Sequence, residues 1–109
     1  MKITLFEKEY EVGFCMATQV KYEEMSGQPF DPASLDTQKA TMQLCYAALE
    51  VSNGTLPFTF DEMNKKLTVS ETGQLKNAVI TEMTQWFEIP AVMEREAEPQ
   101  EEGDGEKND

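Results

Sequence analysis

The chain has 109 residues with 21 acidic and 9 basic side chains, no histidine, and a formal net charge of −12. Without histidine it lacks the commonest proton shuttle and metal ligand at neutral pH. So acidic a chain is a poor match for a nucleic-acid backbone, which is held by clustered Lys and Arg.

One domain suits this length, and a hydrophobic content of 39% supports a modest core. The charge is uneven. Residues 1–93 carry 13 acids and 7 bases, a net of −6, and residues 94–109 carry 8 acids and 2 bases, again −6. The last segment has no aromatic residue and Ala97 as its one apolar side chain. It cannot bury enough apolar surface to offset its ordering entropy, so residues 1–93 are read as one α+β domain and 94–109 as a disordered acidic tail. No apolar run approaches the roughly 20 residues of a membrane span. The start of the chain reads as a strand and not as a signal segment, so the expected location is cytoplasmic. In that compartment Cys15 and Cys45 stay reduced, and Asn53-Gly54-Thr55 is a turn and not a glycosylation site.

In chain order, Ile3 and Leu5 alternate with polar residues, as do Tyr10, Val12 and Phe14. Residues 2–14 therefore predict a β-hairpin with one buried face, connected across Phe6 to Glu9. A hairpin alone is marginal in water, so it must lie on helices. A short helix is expected from Met16 to Met25, capped by Gly27 and blocked by Pro29. Asp31-Pro32 or Asp36 starts the next. That helix carries Met42, Leu44, Cys45, Tyr46, Ala47, Ala48, Leu49 and Val51, apolar almost all round, and is the expected centre of the core. Asn53 and Gly54 end it. Thr59-Phe60-Asp61-Glu62 has the form of a capping box, with Phe58 and Met63 spaced as a hydrophobic staple, so a third helix runs to about Leu67. The last is expected from Ser70 or Thr72 to Glu88, stopped by Pro90. The fold expected is an N-terminal hairpin on about four helices.

No catalytic constellation is present. Neither cysteine has a histidine to activate it, and both read as buried structural thiols. Glu23-Glu24 and Asp61-Glu62 are adjacent residues that diverge by about 100° on a helix, so neither is an acid/base dyad. No zinc spacing, phosphate loop or calcium loop occurs, and neither catalytic residues, a metal nor a cofactor is expected. Seven methionines suit adaptable apolar contacts. The final helix, with Leu75, Ala78, Val79 and Ile80 as well, is more broadly apolar than one core stripe requires. Met83, Trp86, Phe87, Ile89 and Val92 are the candidate partner-binding residues.

Tyr22-Glu23-Glu24-Met25-Ser26-Gly27, followed by Phe30, resembles the aromatic-Glu-x-x-[Ser/Thr]-Gly segment of small tail assembly chaperones of long-tailed phages and prophages, including those of gut Bacteroidetes. Ile3 and Leu5 resemble the hairpin that precedes that segment, and Thr59-Phe60-Asp61-Glu62-Met63 resembles the Thr-Phe-Asp-Glu-Phe helix start. Cys45-Tyr46 has a Tyr-Cys pair of those proteins in reverse. The likeness covers residues 1–67; the last helix has no counterpart in it. The resemblance implies a non-enzymatic chaperone that coats and solubilises the tape measure protein in the host cytoplasm before tail tube subunits add. The partners implied are proteins, the tape measure protein and the tube subunit, with self-association open. An intracellular one-to-one adaptor is the alternative. A DNA mimic is disfavoured because half of the net charge lies on the tail.

Overall fold

The computed structural model describes residues 1–97, with the side chains of all of these except Ser34 and residues 89–97. An antiparallel hairpin, β1 (Lys2–Leu5) and β2 (Lys8–Glu11), precedes four helices: α1 (Met16–Ser26), α2 (Gln38–Asn53), α3 (Phe60–Lys66) and α4 (Val69–Ala97). The fold is α+β, a hairpin on four helices. Of the tail expected from Glu94, residues 94–97 belong to α4, and 98–109 lie outside the described residues.

Ile3 pairs with Tyr10 and Leu5 with Lys8. The connection is therefore shorter than the four residues expected: Phe6 and Glu7 alone make the turn. Their φ angles are +54° and +64°, as a primed two-residue turn demands. Neither is glycine, so each meets a Cβ penalty of about 1–2 kcal/mol. The turn is held from outside. The Phe6 N–H donates to Glu71 Oε2 at 2.9 Å, and the Phe6 ring meets Phe58 edge-on at 5.3 Å.

Ile3, Leu5, Tyr10, Val12 and Phe14 are all buried, so the alternation continues past the end of β2. At α2 the Glu11 N–H donates to Asn53 Oδ1 at 3.0 Å and Asn53 Nδ2 donates back to the Glu11 carbonyl at 2.8 Å. This amide reproduces the reciprocal pairing of a neighbouring strand residue. Next to it, the Gly13 N–H donates to Ser52 Oγ at 3.0 Å.

α1 ends as expected: Gly27 takes the left-handed conformation (φ 72°, ψ 14°) and donates to the Glu23 carbonyl. The Glu23 carboxylate then accepts from Phe30 N–H at 2.8 Å and folds the chain back. Asp31-Pro32 starts a single 3-10 turn, Pro32–Ser34, rather than an α-helix. Thr37, not Asp36, caps α2, its hydroxyl accepting from Ala40 N–H at 3.0 Å. α2 is the central element, packed on α1, α3, α4 and β2. Its Leu44, Cys45, Ala47, Ala48 and Leu49 are at most 2% exposed.

Thr59 and Glu62 form the capping box of α3, at 3.1 and 2.9 Å, and Phe58 and Met63 are both buried. α4 opens earlier than expected, on a second box of the same type. Glu71 N–H donates to Thr68 Oγ1 and Thr68 N–H donates to Glu71 Oε1, each at 3.1 Å. α4 also ends later than expected, continuing through Pro90 to Ala97. A proline removes one hydrogen bond and crowds the preceding turn, but a helix can carry it as a local distortion. Ala91, Met93, Glu94, Arg95, Glu96 and Ala97 are good helix formers and support its continuation.

The Phe6 and Thr68 backbone N–H donors hold the Glu71 carboxyl below its ordinary 4.5. A lowered folded value stabilises the fold above the unfolded value, and that stabilisation is lost as pH falls through the folded one. Glu71→Gln should lower the melting temperature at neutral pH, with the difference from wild type shrinking in acid, as circular dichroism melts will show. Thr59→Ala should cost about 1 kcal/mol in urea unfolding, with no change of slope.

Candidate functional site

All ten aromatic side chains fall into two groups, and the difference between them locates the candidate surface. The first is Phe6, Tyr10, Tyr46, Phe58 and Phe60, in which Phe6, Tyr10 and Tyr46 meet Phe58 at 5.3–6.3 Å and Phe60 meets Tyr46 at 5.9 Å. The Tyr46 hydroxyl donates to the Phe58 carbonyl at 2.9 Å. Tyr10 and Phe58 of this group are buried, and Phe6, Tyr46 and Phe60 pack half-buried against the core.

The second comprises Phe14, Tyr22, Phe30, Trp86 and Phe87, and it opens to solvent. Phe14 is buried and meets Phe30, Trp86 and Phe87 at 5.6–6.0 Å. Phe87 lies parallel to Phe30, at 6.5 Å with a 3° interplanar angle, and edge-on to Trp86 at 5.0 Å. It is nonetheless 41% exposed. An aromatic ring held by three others while facing water has already lost much of the freedom that binding would cost it.

The same face of α4 continues toward its N-terminal half. Ile80, Met83 and Phe87 recur at i, i+3 and i+7, one helical stripe. Ile80 is 50% exposed and Met83 half-buried. Both line a shallow apolar groove of about 200 Å³ between α4, α2 and the 3-10 turn, walled by Leu35, Leu44 and Val79. Leu75, Ala78 and Val79 instead face the core, each at most 1% exposed. The arc of α4 therefore divides into a buried stripe and an outward one.

Of the five candidates, Met83, Trp86 and Phe87 stand along one side of α4. Trp86 is half-buried against Phe14 and supports Phe87 rather than projecting itself. Ile89 and Val92 lie on the α4 backbone, but their side chains fall outside the described ones. Ile80, Leu35 and Phe30 complete the face and were not among the candidates. Ile80 sits three residues before Met83, a spacing that was readable. Leu35 comes from a distant loop, which no local pattern brings to α4.

Cys45 is fully buried and its thiol is pushed up to about 12 by desolvation. Cys15 is exposed, contrary to the expectation of two buried thiols. It occupies the N-cap of α1 with extended backbone, its Sγ 3.8 Å from Thr18 Oγ1. A cap position lies outside the helix, so the side chain turns to solvent. The Thr18 backbone N–H lowers its pKa, as helix N-termini do.

Among the described residues no group of three or more His, Cys, Asp or Glu side chains is arranged to hold a metal ion, and no helix is long and apolar enough to cross a membrane. No family model, no curated protein and no solved structure matches this chain.

Ile80→Ser should change stability by no more than about 0.5 kcal/mol, because its side chain already meets water. Trp86→Ala should cost about 2 kcal/mol by removing a half-buried ring from the aromatic group; urea titration of both variants checks the contrast. With a thiol-specific chromogenic reagent at neutral pH, Cys15 should react at once and Cys45 only after denaturation. Two fast equivalents would mean α2 is not sealed.

Proposed function

We propose that the protein is a non-enzymatic tail assembly chaperone of a long-tailed phage or prophage. Its task is to bind and solubilise the tape measure protein in the bacterial cytoplasm during tail assembly. The observation that carries this reading is the outward stripe Ile80–Met83–Phe87, ordered by its neighbours yet open to solvent. Apolar anchors at i, i+3 and i+7 are the spacing by which one helix receives another.

A tape measure protein is long, helical and apolar in stretches, so it offers many segments to such a stripe. Each contact is small and individually weak, but many copies along one chain hold it firmly. The net charge of −12 keeps the coated chain dispersed through like-charge repulsion. Methionine at the centre of the stripe tolerates differing partner side chains. The motifs at Tyr22–Gly27 and Thr59–Met63 support the same reading through resemblance.

Co-expression with the tape measure protein of the same genome tests it. The expected result is a soluble tape measure protein carrying many copies of this chain, counted by native mass spectrometry. Ile80→Ser and Phe87→Ser should return it to the insoluble fraction without unfolding the chaperone. A one-to-one complex would instead assign the stripe to an adaptor with a single partner, and an insoluble tape measure protein beside soluble chaperone would remove the proposal.

A further inference from the structure

Away from the α4 stripe, an open cleft of about 580 Å³ lies between the end of α1, the loop after it and the first turns of α2. Its position follows from the segment Tyr22–Gly27: Gly27 turns the chain, Glu23 ties Phe30 back, and the loop is held off α2. Two of the polar side chains in its wall are buried, Tyr22 at 3% exposure and Gln43 at 9%. Neither the Tyr22 hydroxyl nor the Gln43 carboxamide has a hydrogen-bond partner among the described residues. Among the described residues Gln19 Nε2 is the side-chain polar atom that is both buried and without a partner, so those of Tyr22 and Gln43 reach solvent. Both residues line the cleft. A cleft walled by such side chains can offer their polar atoms to an external hydrogen-bonding group.

The charges at the rim select the class. The charged side chains lining the cleft are two carboxylates, Asp31 and Asp36, and one ammonium, Lys39, on a domain whose residues 1–93 carry a net −6. An anion meets two carboxylates there; a cation is drawn in. The Tyr22 Oη and Gln43 Oε1 are neutral acceptors. A guanidinium suits this better than an ammonium: it is planar, more weakly hydrated, and presents five donors in a fixed fork. We propose that the cleft between Tyr22, Gln43 and Asp36 is a second binding site, which receives an arginine side chain of a partner protein. It shares no residue with the Ile80–Met83–Phe87 stripe and can be tested apart from it, although Tyr22 belongs to the segment on which the resemblance rests.

The test is a titration of the full-length, 15N-labelled protein with N-acetyl-L-argininamide, followed by amide chemical shifts. Saturable shifts are expected at Tyr22, Lys39 and Gln43, with N-acetyl-L-lysinamide clearly weaker and inorganic phosphate without effect. Tyr22→Phe and Gln43→Leu each remove one acceptor and should weaken binding by about tenfold. Asp36→Asn, at an exposed position that leaves the core untouched, should weaken it by a smaller factor and carries the test if either core variant fails to fold. The absence of saturable shifts at these residues would overturn the proposal, as would unchanged affinity in the variants or preference for phosphate. Tighter binding of free zwitterionic arginine than of the capped amide would also overturn it, by making the cleft a site for the amino acid itself.

Discussion

The hairpin depends on being fastened to the helices, and the rest of the molecule depends on the hairpin. Two strands of four residues each do not persist alone in water. Burying Leu5, Val12 and Tyr10 against α2 and α4 supplies the attraction, at about 1.5–3 kcal/mol for each large side chain. That force has no direction, however, and would permit the strands to slide. The amide of Asn53, the hydroxyl of Ser52 and the carboxylate of Glu71 fix the register, holding Glu11, Gly13 and Phe6 respectively. Each such bond nets only about 0.5–1.5 kcal/mol. A slip of one residue would nonetheless turn every buried strand side chain to solvent, so these small terms select the structure that the large ones stabilise.

Once the hairpin is seated, the faces of α2 and α4 are assigned. α2 is enclosed by α1, α3, α4 and β2, which accounts for its almost wholly apolar central turns. Over its described side chains α4 is enclosed on one side only. Its Leu75, Ala78 and Val79 are consumed by the core, whereas Ile80 and Phe87 stay outside. The aromatic residues follow the same division: the group around Phe58 closes the interior, and the group around Phe14 ends in a ring facing solvent. A surface of that kind is costly to keep unless something binds it.

Much of this was legible from local chemistry. Thr59 and Glu62, Gly27, the enclosure of α2 and the alternation of Ile3, Leu5, Tyr10, Val12 and Phe14 each express a pattern whose energetics lie within a few residues. What escaped was set elsewhere in the chain or by competition. Thr68-Val69-Ser70-Glu71 has the same capping form as Thr59–Glu62, yet Ser70 and Thr72 stand beside it as rival caps; Glu71 wins because it also holds the Phe6 turn. Phe6-Glu7 carries no glycine, so nothing in its own chemistry announces a primed turn. Pro90 reads as a stop, and good helix formers after it outweigh the single hydrogen bond that it removes. Cys15 reads as the end of a buried strand and is instead a cap, one residue past the last buried side chain, Phe14. Of the candidate surface, Met83 and Phe87 were visible from helical spacing. Leu35 and Phe30, brought in by the loop before α2, were not.

The proposed function puts the partner on the outward stripe of α4. The most direct measurement is an NMR footprint on the intact protein, observing the Ile80 and Met83 methyl groups and the Phe87 ring as soluble helical segments of the tape measure protein are added. Shifts concentrated on these three residues, with the hairpin and the group around Phe58 unmoved, are the predicted result. A footprint on the hairpin or on α1, with Ile80 and Phe87 unchanged at saturation, would contradict it.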